Sequence, residues 1–202
     1  MIRATLVSEG STDKRLIPIL VWMAKQVGVD AEIERADFFG LRARPAGLAD
    51  RIKQAVNHFP CDVLFVHRDS DGRPVAERQI EIAAGINEAL VATPYIPVVP
   101  VRMQETWLLF NEDAIRHAAG YPKGRAALGL PAIGRLEALA APKETLRDAL
   151  KTASGLNGRK LKRFDVNQAA YRLSELLDDY TPLRVLPAFA DLEDRIRTAL
   201  AP

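Results

Sequence analysis

Asp69 and Asp71 stand two residues apart, directly after the apolar run Val63, Leu64, Phe65 and Val66. Side chains at i and i+2 of an extended segment point the same way, so both carboxylates can face one cation. The string Asp69-Ser70-Asp71-Gly72 is also ordinary turn chemistry, in which Asp and Ser cap backbone amides and Gly supplies positive φ. It is not a calcium-binding helix-loop-helix, because Gly72 follows Asp71 at once and the later acidic positions are missing. Two more carboxylates, Glu9 and Glu105, follow strand-like runs at residues 2–7 and 95–101. Three or four carboxylates gathered without His or Cys make a hard oxygen site, suited to Mg²⁺ or Mn²⁺ and unsuited to zinc. Like charges packed closely repel unless a cation lies among them. The competing reading is four unrelated surface carboxylates. The chemistry expected of the metal site is phosphoryl chemistry, with Glu9 as the proton acceptor.

These side chains need strands to aim them. Residues 2–7 read as a strand, and Ser11 and Thr12 as caps of a helix over 12–27 that Gly28 stops and Pro18 bends or delays. Residues 31–39 read as a strand, 40–45 as a loop, and 48–58 as a helix with Ile52, Ala55 and Val56 inward. The run at 63–66 predicts a strand buried on both faces, followed by a helix over 74–90 with Ile80, Ala83, Ala84 and Ile86 or Leu90 inward. Residues 95–101 return as a strand, short or at an edge because Pro97 and Pro100 lack ladder donors. Strands alternating with helices predict an α/β fold: a mostly parallel four-stranded sheet with helices on both faces. Carboxylates at the strands' carboxyl ends then sit where such sheets bind ligands.

The chain has 202 residues, 48% hydrophobic and 27% charged, enough for one domain with an appended element. Cys61 is its only cysteine, which leaves no intrachain disulfide. The longest apolar run, residues 16–24, is too short to cross a bilayer, and residues 1–7 reach Glu9 without the apolar region of a signal peptide. A cytosolic protein without a membrane partner is expected. His67 reads as a packed, hydrogen-bonded histidine, His58 and His117 as helix-surface residues, and Trp107 as a core anchor for the turn at Glu105. Arg68 and Arg102 neighbour the carboxylates and can either grip phosphate or pair with the acids.

Ser8-Glu9-Gly10-Ser11-Thr12-Asp13 after the first strand and Asp69-Ser70-Asp71 after the third resemble the Toprim domain of topoisomerases, primases and overcoming-lysogenization-defect-type nucleases. With Pro97-Val98-Val99-Pro100-Val101 and Glu105-Thr106-Trp107-Leu108-Leu109, the arrangement is most similar to a Toprim-like group, the domain-of-unknown-function family 4276. The resemblance implies a three-layer Toprim-like fold over residues 1–119, with Glu9, Asp69 and Asp71 as metal ligands and Glu105 as a further catalytic acid. It also implies a nuclease acting on DNA or RNA, in phage defence beside a separate ATPase. No Gly-rich Lys-Ser/Thr loop is present, so ATP binding is expected of another subunit.

Residues 120–202 read as a helical extension packed on the sheet, with helices over 142–154, 166–179 and 188–200 and a Pro/Gly-rich loop over 121–134. From Arg116 to Arg163 there are eleven Lys and Arg against three carboxylates, a local net charge of +8 in a chain of net +2. A basic segment beside an acidic metal site suits an enzyme that holds a phosphodiester backbone electrostatically. Lys160, Lys162 and Arg163 are the expected phosphate contacts, to which the resemblance adds Lys143; the dense run 159–163 can equally be a solvated loop. The competing function is a non-catalytic Toprim-like module for nucleic-acid binding or assembly. A phosphoacceptor or phosphatase-like domain ranks last, because such proteins place aspartate after the first strand where this chain has Glu9.

Overall fold

The structure, a computed structural model, describes residues 1–39 and 45–200. Strands β1 (Ile2–Val7), β2 (Ala31–Arg35), β3 (Val63–His67) and β4 (Tyr95–Val98) form one all-parallel sheet in the order β2-β1-β3-β4. β3 is buried along its whole length, as a central strand covered on both faces must be. Its alternate residues feed two cores. Val63 and Phe65 join α1 (Ile17–Gln26) and the C-terminal helices, while Leu64 and Val66 join α2 (Leu48–His58) and α3 (Val75–Ala89).

β4 is the short edge strand its prolines predict. Leu64 and Arg68 N–H donate to Pro94 and Val98 carbonyls, so by alternation Pro97 turns its missing donor outward, where no ladder bond is lost. The next β4 donor facing β3 would be Pro100, and there regular pairing has ended. Pro18 delays its helix as expected: Ser11–Leu16 is a 3₁₀ turn, and α1 opens at Ile17 with Pro18 in its first turn, where an N–H is not needed.

Two expectations are corrected. β2 stops at Arg35 instead of running to Phe39, although Ala36 N–H still donates to Leu6 O at 2.9 Å. Of the loop expected next, residues 40–44 lie outside the described residues. The inner face of α3 is Arg78, Ile82, Gly85, Ile86 and Ala89, while Ile80 and Leu90 are exposed. The bare face of Gly85 sets this phase: a Cβ there would come within 3.1 Å of Leu48, so α3 approaches α2 through the glycine.

Beyond β4, a 3₁₀ turn (Gln104–Leu108) leads to α4 (Glu112–Ala118), α5 (Pro142–Ala153), α6 (Gly158–Lys162), α7 (Val166–Leu176) and α8 (Pro187–Leu200). Leu146, Leu150, Leu173, Phe189 and Leu192 enter the same core as Phe65 and Trp107, so the extension thickens one layer of the sheet and the boundary drawn near residue 120 divides no core. Residues 158–162, for whose basic run a solvated loop is one of two readings, make the short helix α6 with no buried residue. No helix of the described residues is long and apolar enough to cross a membrane.

Candidate functional site

The chain leaves β1 through Ser8, Glu9 and Gly10 and leaves β3 through Arg68, Asp69, Ser70 and Asp71, on either side of the point where the strand order reverses. Open parallel sheets bind ligands in that crevice. The loop after β4 closes a third side. Asp71 N–H donates to Arg102 O at 3.1 Å, Arg102 N–H donates to Ser70 Oγ at 2.7 Å, and Ser70 N–H donates to Pro100 O at 3.2 Å. Asp71 and Arg102 both take left-handed backbone, with φ of 51° and 59°. For non-glycine residues this costs of order 1 kcal/mol each and persists where surrounding bonds enforce it. Gly72, at φ 81°, leaves room for the Arg102 guanidinium beside it: a Cβ there would come within 3.3 Å of Nη1.

Asp69 sits at the centre of the acidic group. Its Oδ1 accepts from Gln104 N–H at 3.1 Å and stands 3.5 Å from His67 Nε2. Burial, with Glu105, Asp13 and Asp71 nearby, pushes its carboxyl up to about 7. His67 is fully enclosed, donating from Nδ1 to Val98 O at 3.0 Å, and burial lowers its pKa. The imidazole is therefore neutral with its Nε2 lone pair toward Asp69, an arrangement that favours a proton on the Asp69 carboxyl. His67 is the packed histidine the sequence predicts.

Glu105 is buried, with its Oε1 3.6 Å from Arg15 Nη1, and the burial of Arg15 lowers that guanidinium's pKa. The turn carrying Glu105 is anchored as expected by Trp107, which is fully buried and meets Phe189 edge-on at 5.4 Å between ring centroids. Asp13 is a buried carboxylate that sequence reasoning did not assign. It accepts from Gly10 N–H at 2.8 Å and from Gln104 Nε2 at 2.9 Å, tying the β1 loop to the β4 loop.

Glu9 and Asp71 are held differently. Arg68 donates to Glu9 Oε1 at 2.7 Å and reaches Glu81 at 3.0 Å; Arg78 donates to Glu81 at 2.6 Å and to Asp71 at 2.9 Å. The result is a chain of alternating charge, Glu9–Arg68–Glu81–Arg78–Asp71. Arg78 and Glu81 sit on α3, where Arg78 belongs to the buried face. Sequence reasoning missed both.

On the other side of Glu105 opens a cleft of about 730 Å³ between the sheet and the helical extension. Of the expected phosphate contacts, Lys143 and Lys162 line it, together with Arg15, Arg147 and Lys151, so that five cations face the three carboxylates Glu105, Glu144 and Asp165. Lys160 and Arg163 are exposed on α6 and just beyond it but do not line the cleft. A smaller recess of about 170 Å³, lined by Asp71, Arg102, Met103, Pro142 and Glu144, adjoins it, with Met103 and Glu144 shared between the two.

Comparison with protein-family models, with curated proteins and with solved structures finds no match to this chain. The donor set itself can be tested against a divalent cation. Its chemistry fits, because the carboxylates around Asp69 are oxygen donors that crowd one another, and among the described residues no arginine or lysine pairs with Asp69. The coordination sphere is incomplete as the side chains stand: Glu9 and Asp71 are bonded to arginines, and among the described residues no three His, Cys, Asp or Glu side chains are arranged to hold an ion. Glu9 and Asp71 must exchange arginine for metal to join Asp69.

Proposed function

We propose that this chain is a divalent-metal-dependent phosphodiester-cleaving enzyme, a nuclease acting on DNA or RNA, on a Toprim-like fold. The observation that supports it most is the adjacency of the crowded carboxylates around Asp69 to a cation-lined cleft, with Glu105 part of both. In this reading Asp69, Asp71 and Glu9 hold Mg²⁺ or Mn²⁺, with Glu105 and Asp13 supporting them from the buried side. The cation, when bound, stabilises charge on the phosphate oxygens. Lys143 and Lys162 hold the substrate phosphates. Glu9, whose side chain is 60% exposed, accepts the proton of the attacking water once Arg68 turns to Glu81. By the resemblance, the setting is phage defence beside a separate ATPase subunit.

One observation favours a second reading, a non-catalytic nucleic-acid-binding or assembly module: both Glu9 and Asp71 are already engaged by arginines. A cleavage assay separates the two. With Mn²⁺ and labelled plasmid or single-stranded substrate, the wild type cleaves and Glu9→Gln does not, while binding stays unchanged. Binding without cleavage in the wild type supports the second reading.

A further inference from the structure

Lys143, Arg147 and Lys151 follow one another at i, i+4 and i+8 on α5 and line the same wall of the cleft. Each step rises about 6 Å along the helix axis, close to the phosphate spacing of an extended nucleic-acid strand. None of the three pairs with a carboxylate among the described residues. On α4 and α8, by contrast, the i,i+4 positions carry opposite charges, Glu112 with Arg116 and Asp191 with Arg195. Like charges so spaced weaken a helix. Glu144 and Asp148 share the helix but bond none of the three, so the stripe stays open to an external row of anions.

We infer that this wall binds a single strand of nucleic acid, with successive phosphates on Lys151, Arg147 and Lys143, and that it does not take a duplex. This deepens the proposed function, since it names the substrate form of the same site. The facing side supplies Lys162 with the apolar surfaces of Leu161 and Phe164, on which unpaired bases can stack. A volume of about 730 Å³ is that of a small-ligand site, with room for roughly one or two nucleotides and none for a second strand. The track also has a direction. Its Lys143 end abuts Pro142, which lines the recess beside Asp71 and Arg102, so a strand lying on the stripe leads toward the carboxylates.

The test is fluorescence anisotropy of the full chain in EDTA with labelled oligothymidylate, oligouridylate and a duplex of the same length. The wild type binds a single strand at least about tenfold more tightly than the duplex, and the two single-strand arms report whether the DNA or the RNA homopolymer is preferred. K143A/R147A/K151A loses about tenfold or more, and its salt dependence flattens by about 2 in log–log slope, at roughly 0.7 for each lost phosphate contact. K143R/K151R keeps the charge and the affinity. Duplex bound as tightly as single strand, unchanged binding by the triple alanine variant, or no binding by the wild type overturns the inference. The assay contains no metal and so reads strand binding apart from the metal site. Failure of the metal reading therefore leaves this result standing, and failure here leaves a Mn²⁺ response intact.

Discussion

The acidic crevice and the basic cleft meet at Glu105 but treat their charges in opposite ways. In the crevice, Glu9 and Asp71 belong to a ladder of arginines and Glu81, Asp13 accepts from Gly10, Thr12 and Gln104, and Asp69 is crowded with no arginine or lysine partner among the described residues. In the cleft, the cations of α5 stand in a row and, although Glu105, Glu144 and Asp165 also line it, none of the three cations is ion-paired among the described residues. Elsewhere Arg184 pairs with Glu193 and Arg116 with Glu112. Unpaired charge gathered in these two adjoining clefts marks where a ligand of opposite sign is expected: a cation at Asp69 and phosphates along α5.

The largest expected effect breaks the acid side alone. Glu9→Gln lowers Mn²⁺-dependent cleavage by about 100-fold or more, the worth of a proton acceptor, with strand affinity unchanged in the same preparation. A parallel loss of binding would show that the two sides are not separable. Next comes the residue between them. Arg15→Met strands the buried Glu105 without a cation and destabilises the fold by about 3 kcal/mol in urea melts, while the Arg15→Met/Glu105→Gln double variant regains much of that loss. Equal destabilisation by single and double variants would mean that the pair is not coupled.

A smaller effect sharpens the acid side. The Asp69 carboxyl is raised to about 7 from the ordinary aspartate value of 3.8, so between those values the folded protein binds more protons than the unfolded chain. Stability without metal accordingly falls as pH rises from about 4 to 7 and levels off above. Asp69→Asn flattens that slope and melts above the wild type at pH 8 by roughly 1–3 kcal/mol, measured by urea titration across the range. A wild-type curve level over that window would show Asp69 to be already compensated.

The sheet was legible because it is written locally: the β3 run, the helix at 48–58 and the two prolines of β4 act within a few residues of themselves. The phase of α3 was not, because Gly85 carries its meaning through Leu48 on another helix. The four strand-end acids could be found from their positions after apolar runs. Their partners could not. Asp13 bonds Gln104 across 91 residues and Arg68 bonds Glu9 across 59, contacts that exist only once the sheet has formed. The cationic wall lay between these cases. The Lys143, Arg147 and Lys151 spacing is visible in the sequence, but charge density drew the reading to 159–163, where Lys160 and Arg163 lie outside the cleft.

The central claim is that Asp69 and Asp71 take a divalent cation, and thermal melts with and without Mn²⁺ test it most directly. At metal concentrations about 100-fold above Kd, binding adds about 2.7 kcal/mol, so the wild type gains roughly 5–10 °C at pH 8. D69N/D71N, which removes the two charges and keeps the side-chain shape, folds and gains nothing. An equal Mn²⁺ response in both proteins, or none in the wild type, would contradict the assignment of the metal to this crevice.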